Sequence, residues 1–291
     1  MFRNKTTCPS CLKTIDILNV DCPYCQTHNN EYDKLKLSSN AVNVAWYFQL
    51  IFFAVGWMGI QIIASIIQVA VLFISRVPVE EFTSRMDILA PVEFITYGLE
   101  LVIMIILLFI SKGYKQVRRP FTDIIEGEKT YITGILGVVV IFILSIVYEL
   151  FRQNFNTSTN TNQALIETMV KTYPILCLIF FGIIGPFCEE LTYRVGLFGL
   201  LRRWNRVGAI LLSAFIFAFI HFDISSLLLI VTEGDFNPII DELWNFPSYL
   251  IGGLGLVLLY DLFGFGASTT AHILNNVMSI GQIMVVCHVI R

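Results

Sequence analysis

Charged residues are scarce in this sequence. Asp, Glu, Lys and Arg make up 14% of its 291 residues, whereas a soluble globular domain averages about 25%. The net charge of −3 shows no basic excess, so nucleic acid is not an expected partner. By contrast, 56% of the residues are hydrophobic, and the mean hydropathy is +0.72. This balance predicts a membrane protein with the lipid bilayer as its main partner.

The start of the chain is polar. Met1 to Ser10 contain no apolar stretch, so we expect no cleavable secretory signal, and the first hydrophobic block is expected to act as an uncleaved signal-anchor. Residues 1–40, which contain two cysteine pairs, are interpreted as a small soluble domain with its linker. Residues 41–291 are interpreted as a membrane helix bundle.

Long apolar blocks fill the rest of the sequence. A helix needs about 20 apolar residues to cross a bilayer core about 30 Å thick. The sequence therefore predicts an all-α, polytopic transmembrane helix bundle of about seven or eight spans. The predicted spans are 44–75, 91–111, 131–151, 173–201, 208–231, 247–263 and 265–288. The sixth is short and Gly-rich, which leaves an eighth crossing or a re-entrant segment open.

The distribution of Lys and Arg predicts the orientation. The basic residues lie in the N-terminal segment and in the loops after the second and fourth spans: Arg3, Lys5, Lys13, Lys34, Lys36, Lys112, Lys115, Arg118, Arg119, Arg202, Arg203 and Arg206. With one crossing per span these segments share one side, which the positive-inside rule makes cytoplasmic. The loops assigned to the outside are acidic: Glu80, Glu81, Asp87, Glu233, Asp235, Asp241 and Glu242. We expect a multi-pass protein of the cell membrane with its N-terminal segment in the cytoplasm.

Four of the seven cysteines form two close pairs near the N-terminus. Cys8 and Cys11 make one C-P-x-C knuckle, and Cys22 and Cys25 make the other. Two such knuckles suit a closed Cys₄ site for one structural Zn²⁺, whose binding would supply most of the folding energy of so small a unit. The alternative is two disulfides, which a cytoplasmic location disfavours. This predicted zinc ribbon is also a candidate docking site for a protein partner.

The first polar group within apolar sequence lies in the fourth span, just after Gly185-Pro186. Each charge at the centre of a membrane helix costs about 2.5–3.5 kcal/mol on insertion scales. Glu190 and Arg194 are four residues apart, so they share an α-helical face and can pair. Glu189 points about 100° away and has no local partner. This arrangement is typical of a general base next to a supporting ion pair.

Two further polar groups follow. Phe217 lies one turn before His221, near the middle of the predicted fifth span, and His272 lies one turn before Asn276 in the last span. The three groups reach similar depth, and buried polar groups need partners. We therefore expect their helices to face one shared, hydrated cavity.

Each group taken alone has a structural explanation. A Glu–Arg pair can be a packing bridge, and a single intramembrane His is often a satisfied core residue. All three groups together, among otherwise apolar positions, favour one functional site. Asp223 is expected to support this site, Asn275 to face away from the Asn276 face, and Glu100 has no assigned role.

The three groups resemble the motifs of the CPBP family, the CAAX proteases and bacteriocin-processing enzymes also called Abi. The resemblance covers about 173–281. It implies that Glu189 activates a water, that His221 shares this water and relays the proton, and that His272 and Asn276 stabilise the oxyanion. Glu190 and Arg194 would orient these groups. The N-terminal ribbon is similar to ribbons attached to some bacterial members.

The resemblance implies an intramembrane endopeptidase acting on a membrane-associated or lipidated peptide or protein. A His₂Glu catalytic metal site stays open, although the sequence lacks H-E-x-x-H, and we expect no catalytic metal. One alternative is a non-catalytic peptide-binding or bacteriocin self-immunity protein, which would be expected to have lost Glu189 or a histidine. A small transporter is another, but the sequence lacks the internal repeat expected of one. Prenylation of the substrate is not predicted by the residues.

Overall fold

The computed structural model describes residues 5–17, 19–35, 41–82, 84–122, 124–155, 161–223, 232, 234 and 236–287. Several sequence predictions fall outside these residues. They concern the basic Arg3 and Lys36, the acidic Glu233 and Asp235, and the ends of two predicted spans, 224–231 and 288.

Helices make up most of the described chain. The long ones are α1 Trp46–Ser75, α2 Met86–Ile110, α3 Ile124–Arg152, α4 Thr161–Thr172, α5 Pro174–Arg202, α6 Arg206–Phe219, α7 Asn237–Phe263 and α8 Phe265–Val286. Short helices lie at Asn30–Leu35, Val79–Phe82, Tyr114–Val117 and Arg119–Thr122. Strands β1 Lys5–Thr7 and β2 Thr14–Asp16 form an antiparallel hairpin. The predicted all-α membrane bundle with a small N-terminal cysteine unit is confirmed.

Five described helices are long and apolar enough to cross a bilayer: α1, α2, α3, α5 and α7. Their outward residues are large and apolar, as on α1, where Ile62, Ile66 and Phe73 are exposed. Such surfaces fit contact with lipid chains. Helix α6 is shorter, and α8 has 22 residues with several polar side chains. The predicted count of seven or eight spans stays a prediction.

Several helices extend beyond or stop short of their predicted spans. Helices α2, α3 and α7 begin earlier, at Met86, Ile124 and Asn237, since hydropathy marks only the bilayer segment of a helix. As a result, Asp241 and Glu242 lie in α7 rather than in a loop, and Glu242 is buried. Helix α6 ends at Phe219 instead of continuing to 231. The amphipathic α4 was not predicted.

The last two helices are joined by Gly264 alone. Its φ of 93° and ψ of −176° lie in a region that is essentially restricted to glycine. This turn lets α7 and α8 pack against each other, and α8 also packs along α3. On α3, Gly134 and Gly137 leave room for Thr270 and Leu259, the close approach that small residues permit in membranes.

Helix α5 is not a regular α-helix. Two stretches, Phe180–Ile184 and Glu190–Phe198, are π-helical, so their hydrogen bonds reach back five residues. All nine residues of the second stretch are buried. It packs on α1, where a Cβ on Gly196 would lie 2.7 Å from the backbone nitrogen of Phe53. Helix α5 therefore forms the centre of the bundle.

The basic residues at the end of α5 hold helices together, in addition to indicating the orientation in the membrane. Arg202 and Arg203 are buried, not solvated as in a simple loop. Asp261 of α7 pairs with Arg202 at 3.0 Å and with Arg206 at 2.6 Å. Arg203 donates to the side chain of Gln49 at 2.7 Å and to the backbone carbonyl of Val44 at 3.0 Å. These bonds tie the start of α1 to α5 and α7.

Candidate active site

The polar residues predicted from three separate motifs line one cavity. Its volume is about 1040 Å³, and Glu189, His221, His272 and Asn276 are all among its lining residues. They come from α5, from the turn after α6, and from α8. The structure thus brings together the four side chains predicted to be catalytic.

The adjacent carboxylates of α5 have different surroundings. Glu189 faces the cavity, and 24% of its side chain is exposed, whereas the side chain of Glu190 is completely buried. Successive helical residues point in different directions, so one carboxylate reaches the cavity and the other reaches the packed interior.

Glu190 connects three other residues. Its Oε1 lies 3.3 Å from Nε of Arg194 and 3.0 Å from Nδ1 of His272. Its Oε2 accepts a hydrogen bond from the hydroxyl of Ser268. A buried carboxylate needs such compensation. Glu190 therefore fixes α8 against α5 and orients the ring of His272.

The two nitrogens of His272 have distinct partners. An ionised carboxylate can only accept hydrogen bonds, so Nδ1 of His272 carries the hydrogen that is donated to Glu190. Nε2 then points to Glu189, whose Oε2 is 3.5 Å away. The pair Glu189–His272 forms one wall at which a water can be held by both groups.

His221 lies in a turn, which corrects its predicted position in the middle of a span. Helix α6 ends at Phe219, and the backbone N–H of His221 bonds to the carbonyl of Ala218. The carbonyl of Phe217 instead accepts a hydrogen bond from Nδ1 of His221 at 2.9 Å. This bond makes Nε2 the acceptor nitrogen. The ring stacks on Tyr249 of α7, with centroids 4.4 Å apart.

Phe217 is in contact with three polar side chains of the site. Its ring centroid is 5.2 Å from that of His221 and 5.6 Å from that of His272. The guanidinium of Arg194 sits over the same ring at 4.7 Å, a cation–π geometry. Phe217 thus contacts both histidines and Arg194.

Asn276 has a contact that its spacing did not indicate. Pro186 has no N–H, so the carbonyl five residues earlier, that of Phe181, has no partner in the π-helical register. Nδ2 of Asn276 donates to that carbonyl at 3.1 Å. A primary amide has two N–H groups, so Asn276 can fix the break in α5 and still donate into the cavity.

Several cavity residues were not predicted from the sequence. Tyr249, Glu93, Tyr97 and Glu100 line the cavity, and so does Asn275, which was expected to face away. Ser268 precedes His272 by four residues, so the i, i+4 spacing was the available signal. Asp223 also lines the cavity, and its backbone N–H donates to Glu242 at 3.1 Å.

The four N-terminal cysteines form a separate group. Their Sγ atoms all lie within 4.8 Å of one another, with Cys8 to Cys25 at 3.5 Å and Cys11 to Cys22 at 3.6 Å. Four thiolates bound to one Zn²⁺ at about 2.3 Å stand about 3.8 Å apart, so the donor set fits a tetrahedral metal. Among the described residues, no other group of three His, Cys, Asp or Glu side chains is this compact.

The hydrogen bonds of the cysteine group also favour metal binding. Both knuckles repeat the same turn, with Leu12 and Gln26 donating to the carbonyls of Cys8 and Cys22. Hydrogen bonds with the side chain and backbone of Thr27 lower the pKa of the Cys25 thiol to about 6. At neutral pH this sulfur is therefore mainly the thiolate, the form that binds metals.

Comparison with known proteins supports the membrane site. Residues 171–278 match the family model described as type II CAAX prenyl endopeptidase Rce1-like. This matched stretch, the Rce1-like segment, is similar to that family. The match contains the three motifs and confirms the resemblance to the CPBP family, whereas α1, α2 and the cysteine unit lie outside the Rce1-like segment.

The chain is also similar to a curated protein of Lactococcus lactis subsp. lactis (strain IL1403). The two proteins are 30% identical over 133 residues, and the relative is named UPF0177 protein YvdC. The alignment covers 45% of this chain and 50% of the relative. The chain thus matches about half the length of that relative. No solved structure matches the chain significantly.

Proposed function

We propose that this protein is an intramembrane endopeptidase that hydrolyses a peptide bond of a membrane-associated or lipidated peptide or protein. The observation that carries the proposal is the cavity shared by Glu189, His221 and His272. These groups have the acid–base capacity that peptide hydrolysis requires. The Rce1-like segment, which includes all three residues, supports the same chemistry.

In the proposed reaction, Glu189 takes a proton from a water held between its carboxylate and the histidines. The water oxygen attacks the carbonyl carbon of the scissile peptide bond. The negative charge that develops on the carbonyl oxygen is stabilised by the second N–H of Asn276 and by His272, whose Nε2 becomes a donor once it is protonated. The C–N bond then breaks, and His221 and Glu189 return a proton to the leaving amine, so that the products are an acid and an amine.

The supporting residues keep these groups in position. Glu190 holds the His272 ring through Nδ1 and is itself balanced by Arg194. Phe217 and Tyr249 keep the His221 ring in one plane. Catalytic efficiency depends on this kind of fixed geometry.

We favour a water activated without a catalytic metal. Only the Nε2 atoms of His221 and His272 could bind a metal, because Nδ1 of His272 bonds to Glu190 and Nδ1 of His221 bonds to a backbone carbonyl. A His₂Glu site would need Glu189 and both remaining nitrogens around one ion. These three residues do not form a compact donor group of the kind made by the four cysteines.

The cysteine unit is proposed to bind one structural Zn²⁺ and to form, with its linker, a domain of residues 1–40. The Lys and Arg distribution supports a cytoplasmic location for this unit in a bacterial plasma membrane. We assign it the role of a docking module for a protein partner. The peptidase core is proposed to span about 170–290 within the membrane bundle.

The test uses the purified full-length protein in lipid nanodiscs with a library of membrane-associated peptides, with and without a prenyl group. Mass spectrometry identifies the products. The account predicts cleavage by wild type and a loss of at least about 100-fold in Glu189→Gln, as expected when a general base is removed. Glu81→Gln, the same exchange at an exposed carboxylate outside the cavity lining, is the control and retains cleavage.

Two outcomes would contradict the proposal. Cleavage by Glu189→Gln at the wild-type rate would remove the assigned base. Binding of peptides without cleavage by the wild type would favour the non-catalytic binding or self-immunity function. A chelator added to a variant lacking residues 1–40 tests the metal-free mechanism, because loss of cleavage there would show a second, catalytic metal.

A further inference from the structure

Helix α2 contributes a second set of acidic residues to the cavity. Glu93, Tyr97 and Glu100 are spaced by four and three residues, so they share one helical face, and all three line the cavity. None of them lies in the Rce1-like segment. They therefore belong to a wall that the family match does not describe.

The cavity is strongly acidic. Its lining includes the carboxylates of Glu93, Glu100, Glu189 and Asp223, and no Lys or Arg among the described residues. The buried Arg194 is not one of the lining residues, and its charge is already paired with Glu190. No Lys or Arg side chain in the described lining therefore balances the carboxylates of α2.

Glu100 is the most informative of these groups. Only 5% of the residue is exposed, yet it lies at the cavity wall. Within the described part of the chain, its carboxylate has no hydrogen bond and no ion pair. Burying such a group is costly unless a partner of opposite charge or a donor meets it. Because it has no partner among the described residues and faces an open volume, this buried carboxylate is suited to bind a cation that enters the cavity.

We propose that Glu100 forms a specificity subsite for a basic side chain, Lys or Arg, of the peptide that is cleaved. This inference rests on the proposed peptidase function and adds the charge of the substrate to it. The basic side chain pairs with Glu100 while the peptide backbone lies against Glu189. A guanidinium or ammonium group entering the cavity compensates the carboxylate through charge-assisted hydrogen bonds. Neutral and acidic side chains leave Glu100 uncompensated and are rejected.

The test compares pairs of peptides with the full-length wild-type protein in nanodiscs. The two peptides of a pair are identical except at one position, where one has arginine and the other has citrulline, its neutral isostere. Different pairs place this residue at successive positions on either side of the scissile bond. At the position whose side chain reaches Glu100, we expect kcat/KM to be at least about tenfold higher for the arginine peptide than for the citrulline peptide, in line with the strength of charged hydrogen bonds. Equal cleavage of both peptides at every position would overturn the proposal.

The variant Glu100→Gln locates the effect. Its ratio of arginine to citrulline cleavage is expected to fall to near one, because Gln carries no charge that could distinguish the two side chains. Glu81→Gln, a carboxylate outside the cavity lining, should leave the ratio unchanged. An unchanged ratio in Glu100→Gln would refute the subsite. Loss of the arginine preference of wild type on adding a chelator would also refute it, because the cation at Glu100 would then be a metal ion.

The peptide comparison keeps this test separate from the test of the peptidase itself. If wild type cleaves no peptide, the proposed function fails, and the subsite fails with it. If wild type cleaves arginine and citrulline peptides equally, only the subsite fails. Should Glu100→Gln not fold, the wild-type comparison across positions still decides the question.

Discussion

At the scale of single residues, two neighbouring carboxylates illustrate how the site is built. Glu189 is turned to the cavity, and Glu190 is buried among Arg194, Ser268 and His272. The first is proposed to handle the proton of water. The second holds together the helices that carry the reacting groups. The same residue type therefore supports two roles because the helix presents its successive residues to different surroundings.

The charge balance of Glu190 leads to a stability prediction. Glu190→Gln leaves the guanidinium of Arg194 buried and uncompensated, which is expected to cost about 3–5 kcal/mol. Thermal unfolding in detergent should therefore occur at a clearly lower temperature than for wild type. Cleavage should fall as well, because the His272 ring loses its carboxylate partner.

A double variant separates these two effects. Glu190→Gln with Arg194→Met removes the unpaired charge, so much of the thermal stability should return while cleavage stays low. Equal thermal stability of Glu190→Gln and wild type would contradict the importance of the ion pair. Recovery of cleavage in the double variant would contradict the role assigned to Glu190 in orienting His272.

At the scale of elements, the irregular helix α5 places the candidate site. Its π-helical segments flank Gly185-Pro186, and Asn276 of α8 donates to the carbonyl left without its usual partner. The π-helical turns widen the helix at the residues that carry the motif, a feature often found at functional sites. Close contact with α1 at Gly196 holds the second π-helical segment in place.

Gly196 provides a test of this packing. A Cβ at this position would lie 2.7 Å from the backbone nitrogen of Phe53 and 3.1 Å from the backbone carbonyl oxygen of Gln49, so Gly196→Ala forces α1 and α5 apart. We expect a lower unfolding temperature and at least about tenfold weaker cleavage, since small displacements of reacting groups are costly.

Gly281→Ala is the matched control, because a Cβ at Gly281 meets no atom within 4 Å. This variant should unfold and cleave like wild type. Indistinguishable behaviour of Gly196→Ala and Gly281→Ala, in both unfolding temperature and cleavage, would show that the α1–α5 contact does not position the site.

The sequence predicts the elements only in part. Apolar blocks locate the helices because the bilayer imposes a minimum length, and the i, i+4 spacing of polar residues identifies three motifs. The π-helical turns, the end of α6 before His221, and the role of Asn276 depend on contacts between helices far apart in the sequence. Glu100 had no assigned role for the same reason, since only the folded bundle brings α2 to the cavity.

At the scale of the whole molecule, the scarcity of charge is what makes the few charged residues informative. Apolar helix surfaces suit a lipid environment, while the cavity gathers the carboxylates and histidines of four helical regions. A separate cluster of buried Arg side chains and Asp261 ties the start of α1 to the rest of the bundle. The fold thus separates the groups that hold helices together from the groups that face a substrate.

The claim on which this account depends is that water enters the cavity and is added directly to the peptide bond. The measurement is cleavage of a membrane peptide in ¹⁸O-labelled water, followed by mass spectrometry of the product and of the enzyme. We expect one ¹⁸O atom in the new carboxyl terminus of the product and none in the side chain of Glu189. An unlabelled product, or ¹⁸O in the carboxylate of Glu189, would contradict it.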